Sequence, residues 1–254
     1  MIFDTHAHYD DKAFDEDREE LLREVHAAGV GLIIDPGCDI ASSRKSLEIA
    51  ASEDFVYSAV GIHPENLDGL ENDFPAQIEA MTKNAKCAAI GEIGLDYYWD
   101  VSRKELQKEI FDAQLQLALR LDLPVIIHDR DAHSDSMDIV KKYPELRGVF
   151  HCYSGSAEMA KELLKRGWYL GFDGPITYKN ARKALEVLEI CPADRMLIET
   201  DSPYLSPVPM RGKRNDSRNL RYVIGRIAEV KNMSADAVEE QTFLNGCRFF
   251  NIEA

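Results

Sequence analysis

The feature that most constrains this chain is an alternation of local character that runs from one end to the other. Short runs of β-branched and other apolar residues are followed, each time, by a longer stretch with hydrophobic residues at helical spacing. The pattern predicts eight strands, over residues 2–8, 31–37, 55–63, 87–95, 123–130, 148–154, 169–175 and 196–203. Between them lie helices such as 15–28, with Leu21, Leu22 and Val25 on one face, and 102–121, which opens with a candidate capping box from Ser102 to Glu105. Strands this continuously apolar are buried on both faces, and with a helix after each one the α/β pattern fits a closed (β/α)8 TIM barrel better than an open sheet. No Gly-x-Gly-x-x-Gly follows the first strand, which removes the main signal of a dinucleotide fold. A length of 254 residues suits one such barrel, and no linker or low-complexity segment interrupts it, so residues 1–254 are expected to form a single domain.

Position then becomes informative, because the chemistry of this fold class sits where strands end and loops begin. The first predicted strand ends in "DTHAHYD", where a period of two turns His6 and His8 to the same face with Asp4 beside them. His63 closes the third strand, Glu92 lies on the fourth, His128 and Arg130 close the fifth, His151 sits in the sixth, and Asp201 ends the eighth. One histidine at a strand end is ordinarily a hydrogen-bonded or solvent-facing residue, and Asp201, followed by Ser202 and Pro203, reads equally well as a turn residue. Yet five of the seven histidines fall at predicted strand ends of the same polarity, which points to a metal site at one mouth. Imidazole and carboxylate together suit zinc, manganese, nickel or cobalt, and suit magnesium less naturally. Four histidines and two carboxylates exceed the needs of one tetrahedral ion, so two divalent ions are expected, with Glu92 as the bridge.

Composition closes other routes. A formal net charge of −15 excludes a protein that coats nucleic acid by bulk electrostatics, although cations bound in a carboxylate-rich pocket would reverse the local sign. Five scattered cysteines without a C-x-x-C read as reduced thiols. Cys152 beside His151 is a poor candidate for a nucleophile pair, since neighbours on a strand face opposite ways. No apolar run is long enough to span a membrane and the N-terminus does not resemble a signal peptide, so the expected location is the cytoplasm, with no membrane and no obligate protein partner. Positive charge is concentrated in "MRGKRNDSRNLR", just after the eighth strand, where Arg211, Lys213 and Arg214 would overhang the mouth and grip phosphate. Arg130 and the turn at Tyr153 and Ser154 could add contacts. His63 reads either as a phosphate-contacting residue or as a hydrogen-bonded loop histidine, and Tyr97, Tyr98 and Trp99 either as base-stacking groups or as core.

The blocks "IFDTHAHYD", "VGIHPEN", "IGEIGLDYY", "PVIIHDRDA", "FHCYSGS" and "IETDSPYL" with "RGKRN", in this order, resemble those of the TatD-type metal-dependent deoxyribonucleases of the amidohydrolase superfamily. The resemblance spans nearly the whole chain. It implies metal ligands at His6, His8, Glu92, His128, His151 and Asp201, with Mg, Mn or Zn as the ions, and Glu92 standing where many amidohydrolases carry a carbamylated lysine. It further implies removal of nucleotides from the 3′ end of single-stranded DNA, with Asp201 orienting the attacking water and taking its proton. The family carries an acidic residue shortly after "HDRDA", where this chain reads His133, Ser134 and Asp135, so the role of Asp135 stays open. Two other readings use the same residues: a hydrolase of a small amide, lactone or ester, and a barrel that binds metal without turnover.

Overall fold

The computed structural model describes residues 1–99 and 101–253. Eight strands form one parallel sheet in chain order: β1 Ile2–Asp4, β2 Val30–Pro36, β3 Val56–Val60, β4 Cys87–Asp96, β5 Val125–Arg130, β6 Gly148–Phe150, β7 Tyr169–Phe172 and β8 Met196–Ile198. Helices alternate with them: α1 Arg18–Ala27, α2 Ile40–Ser52, α3 Phe74–Met81, α4 Lys104–Leu121, α5 His133–Val140, α6 Ala157–Lys165, α7 Arg182–Ile190, α8 Leu220–Lys231 and α9 Ala235–Phe250. This order and alternation are those of the (β/α)8 TIM barrel expected from the sequence.

The chain divides into two units, Pro36–His151 and the remainder. In the unit built from both ends of the chain, β1 pairs with β2 and β7 with β8. Loop bonds join the ends of β1 and β8: Thr5 N–H donates to Ile198 O at 3.1 Å, Asp201 N–H to His6 O at 2.9 Å and His8 N–H to Ser202 O at 2.8 Å. Phe3 packs between Phe243 and Phe250 at ring-centroid distances of 6.2 and 5.7 Å. Gly246 makes room for it, because a Cβ there would collide with the Phe3 ring.

In the central unit, β3 to β6 pair in sequence and α2 starts on a capping box between Asp39 and Ser42. Helix α4 carries two buried glutamines seven residues apart on one face, Gln107 and Gln114. Each side-chain amide pairs with both polar groups of one residue near a strand end. Gln114 accepts from Ile62 N–H at 2.7 Å and donates to Ile62 O at 3.0 Å. Gln107 does the same for Asp96, at 2.9 and 2.8 Å. Peptide groups that leave the sheet ladder are satisfied in this way, and the segments carrying His63 and Asp96 are fixed by it.

Three sequence expectations need correction. The strands are shorter at their C-terminal ends than predicted: β1 stops at Asp4, β3 at Val60, β6 at Phe150, β7 at Phe172 and β8 at Ile198. His6, His8, His63, His151 and Asp201 therefore lie just past strand ends. The apolar neighbours that make those residues look like strand bury themselves in loops instead, where scattered backbone bonds between loops and side-chain partners such as Gln114 for Ile62, Glu199 for Cys152 and Asp4 for Thr200 replace a continuous ladder. Helix α1 starts at Arg18 and not at residue 15, after a short 3-10 turn over Lys12–Phe14. Helix α4 starts at Lys104 with Arg103 at its cap, so Ser102, the expected N-cap, lies in a short 3-10 turn over Val101–Arg103 before the helix.

Candidate metal centre

The first ligand cluster belongs to the unit formed by the chain ends. Asp4, fully buried at the end of β1, accepts from Thr200 N–H at 3.0 Å and from the Thr200 hydroxyl at 2.6 Å, and its Oδ1 lies 3.4 Å from His6 N. One carboxylate thus ties the loop after β1 to the loop after β8. Burial pushes its pKa up to about 7 against the lowering effect of these hydrogen bonds. The tie brings His6 and His8 to Asp201: the two Nε2 atoms are 3.1 Å apart, and Asp201 Oδ1 is 3.7 Å from that of His6 and 3.5 Å from that of His8. Asp201 occupies the left-handed region, φ 55°, which aspartate tolerates better than branched residues.

The second cluster belongs to the central unit. Glu92, buried on β4, places Oε1 2.8 Å from His128 Nδ1 and 2.7 Å from His151 Nε2, and those two nitrogens are 3.4 Å apart. His63 Nε2 stands 3.6 Å from the same oxygen. The other nitrogen of His128, Nε2, is 3.0 Å from Asp96 Oδ2. Burial pushes Asp96 up most strongly, but the hydrogen bond and charge of His128 together with the N–H groups of Trp99 and Tyr98 outweigh it and hold the carboxyl below the usual range, so Nε2–H donates to a carboxylate. That orients the ring with Nδ1 toward Glu92 and His151, where it would serve as a ligand atom once a metal displaced its proton. Burial alone would lower the pKa of His128, yet the bonds to Asp96 and Glu92 raise it to about 9.

Both donor sets fit divalent ions. With metal–ligand bonds of ~2.0–2.1 Å, tetrahedral ligand atoms stand roughly 3.3 Å apart, and the separations above, 2.7–3.7 Å, bracket that spacing. The donors are nitrogen and carboxylate oxygen, the mixture suited to borderline cations. His63 is close enough to count as a ligand, but its Nδ1 accepts from Glu65 N–H at 3.2 Å, which leaves the neutral ring's proton on Nε2. It presents an N–H donor to the cluster, the property of a group that contacts an anion.

A family model described as TatD related DNase matches residues 3–251. The chain belongs to that family. YabD of Bacillus subtilis (strain 168), named an uncharacterized metal-dependent hydrolase, is 44% identical over 255 residues, which are 99% of this chain and 100% of its own. The 3'-5' ssDNA/RNA exonuclease TatD of Cronobacter sakazakii is 33% identical over 258 residues, 98% of this chain and 97% of its own. Among solved structures, YjjV, a TatD homologue from Escherichia coli K12, superposes with a TM-score of 0.93 at 32% identity, covering 99% of this chain and 98% of its own. This TatD-family protein is a metal-dependent hydrolase with buried histidine and glutamate groups able to bind metal.

The expected substrate-binding residues of this TatD hydrolase divide. Arg214 is engaged: it pairs with both carboxylate oxygens of Asp17 at 2.9 and 2.5 Å, donates to Ala13 O at 2.7 Å and lies over Phe14. In a chain of net charge −15, acidic α1 is a ready partner for it. Arg218 is held by Asp216 and Glu24 in the same way. Arg211 lies 4.1 Å from the Tyr178 ring centroid, and Arg211 and Lys213 are exposed. The basic segment is anchored by buried Asn215, whose amide donates to Thr200 O at 2.9 Å and Tyr204 O at 2.8 Å. Tyr153 is buried and its hydroxyl donates to Ser156 O at 2.8 Å, so it closes its turn and does not reach outward, whereas Ser154 is exposed. Cys152 is no nucleophile: burial and the carboxylates of Asp173, Asp201 and Glu199 push its thiol well up.

Two contributors carry no distinctive sequence signal, and Asp4, noted beside His6 and His8, shows its role only through its buried bonds to Thr200. Asp96 reads as part of "LDYY" and Glu199, which accepts from Cys152 N–H and is 1% exposed, as the start of "ETD". Each is one residue among 45 acidic ones, and only its burial against named partners marks it. Asp135 also finds its role. It accepts from Tyr97 Oη at 2.8 Å and pairs with Lys104 at 2.8 Å and Lys108 at 2.9 Å, joining α5, α4 and the loop after β4.

Proposed function

We propose that this hydrolase cleaves phosphodiester bonds of DNA and removes nucleotides from the 3′ end of single strands. The reading is carried by one observation: the donor sets His6/His8/Asp201 and Glu92/His128/His151 stand at metal-ligand spacing in a chain that is 33% identical, end to end, to a relative named 3'-5' ssDNA/RNA exonuclease. The uninterrupted family match over residues 3–251 supports treating residues 1–254 as one hydrolase domain. Each set would hold a divalent ion, Mg, Mn or Zn, which when bound acts as a Lewis acid and makes water a nucleophile at neutral pH.

The chain's own residues do the rest. Asp201 Oδ1, at the edge of its cluster and partly exposed, accepts the proton of the attacking water. Glu92 and Asp96 fix the imidazole of His128 from its two sides, so its ligand nitrogen is preorganised. His63 Nε2–H donates to a nonbridging phosphate oxygen, and Arg130, Arg211 and Lys213 neutralise phosphates along the strand.

The test is hydrolysis of 5′-labelled single-stranded DNA, duplex DNA and RNA, beside a panel of small esters, lactones and amides, with manganese or magnesium. Ladder formation from the 3′ end that Asp201→Asn abolishes supports the reading. Hydrolysis of small esters or amides alone, or nuclease activity indifferent to Asp201→Asn, overturns it.

A further inference from the structure

Tyr98 and Trp99 follow β4 directly and stand out of the fold, 54% and 65% exposed, with ring centroids 4.8 Å apart and planes at 87°. They are not core. Arg130, at the end of β5, lies over both, its guanidinium carbon 3.9 Å from the Tyr98 centroid and 5.4 Å from that of Trp99. Among the described residues that guanidinium makes no ion pair, although the chain is strongly acidic.

The group is held rigidly. Tyr98 N–H and Trp99 N–H both donate to Asp96 Oδ1, at 2.8 and 3.2 Å, while Tyr97 N–H donates to Arg130 O at 2.9 Å and its hydroxyl is fixed by Asp135. The other oxygen of Asp96 holds His128. One buried carboxylate therefore sets the aromatic pair and the ligand histidine in a fixed relation, and the second cluster and this surface are parts of one unit.

We infer that Tyr98, Trp99 and Arg130 form a stacking subsite for one nucleobase of a single-stranded substrate, with the guanidinium edge on the phosphate that follows it. The inference rests on the nuclease reading for its substrate and adds where, and by which chemistry, a base is held. An exposed ring accepts any base without reading its edge; the guanidinium covers one face of Tyr98 and adds affinity for the adjoining phosphate, and Trp99, the more exposed ring, takes the base. Bases within a duplex are paired and stacked on both faces and cannot turn onto the platform, which gives a preference for single strands without any base-specific contact.

The chain has two tryptophans, and Trp168 is 2% exposed, so a fluorescence change on binding reports Trp99. Protein in calcium, and again in chelator, is titrated with a thymidine oligonucleotide and with an abasic oligonucleotide of equal phosphate number. The subsite predicts saturable quenching by the first only, lost in Trp99→Phe. It also predicts a Kd raised about tenfold or more in Tyr98→Ala, the scale for one base–aromatic stack. Arg130→Ala should flatten the salt dependence by about one phosphate contact. Equal quenching by both oligonucleotides, or by neither, overturns the subsite. Since binding is read without turnover, base-dependent quenching in a protein that cleaves no DNA would sink the nuclease reading and leave the subsite standing, whereas cleavage with equal quenching sinks the subsite alone.

Discussion

Replacing Asp96 by Asn isolates the contribution of a residue that touches no substrate and yet sets a ligand. The substitution keeps size and shape in a site that is 1% exposed. Oδ1 can still accept from Tyr98 and Trp99 N–H, but the atom facing His128 Nε2 becomes an NH2 group, so two donors meet across 3.0 Å. One escape is for the imidazole to lose its Nε2 proton and keep the one on Nδ1, the nitrogen that faces Glu92 and His151, which blocks the ligand atom. The other is to turn the amide over, which gives up two backbone hydrogen bonds of about 1 kcal/mol each. The first route costs about 10- to 100-fold in metal affinity, or roughly 1.4 to 2.8 kcal/mol, whereas the second shows as a lowered melting temperature, so an unchanged melt selects the first. Chelator-stripped protein titrated with manganese or zinc against a chromogenic competitor would measure it, with circular dichroism confirming an unchanged fold. Affinity within twofold of the parent protein would refute the orienting role and, with it, the assignment of Nδ1 as the ligand atom.

Gly171→Ala places a Cβ 2.5 Å from both Glu199 carboxylate oxygens, so the buried acid must move and release Cys152 N–H; a urea titration should show a loss of about 1–3 kcal/mol, and an unchanged midpoint would contradict the close approach. Gln114→Leu leaves both polar groups of Ile62 unpaired in the core, with an expected loss of about 2 kcal/mol or more by the same assay and a raised KM through the displaced His63. Lys104 and Lys108 hold Asp135 below the usual carboxylate range, so its contribution is present above about pH 4 and disappears as the pH falls through and below that value. With Asp135 23% exposed, Asp135→Asn should cost about 1 kcal/mol at pH 7 and progressively less as the pH falls below about 4 toward the depressed folded-state value, and a pH-independent difference would show that charge is not the cause. Lys213→Ala should raise KM for oligonucleotides and reduce its salt dependence, whereas Arg214→Ala should lower the melting temperature by a few degrees through the lost Asp17 pair, with less effect on salt dependence.

Much of this protein is legible in its letters. The alternation of eight apolar runs with amphipathic stretches determined the fold class, because strands buried on both faces and followed by helices have few other ways to pack. Histidines at His6, His8, His63, His128 and His151 stood out because imidazole is scarce and its recurrence at strand ends has no packing explanation. What the tertiary structure alone decided is which common residues serve those rare ones. Asp96 and Glu199 look like any of 45 acidic residues until burial removes water and leaves each with specific donors to satisfy. Arg214 looks like its neighbours in the basic segment until Asp17, 197 positions away, takes it up. Local sequence encodes period and propensity, whereas a carboxylate's role depends on the dielectric and the partners around it, and those exist only once distant segments have met.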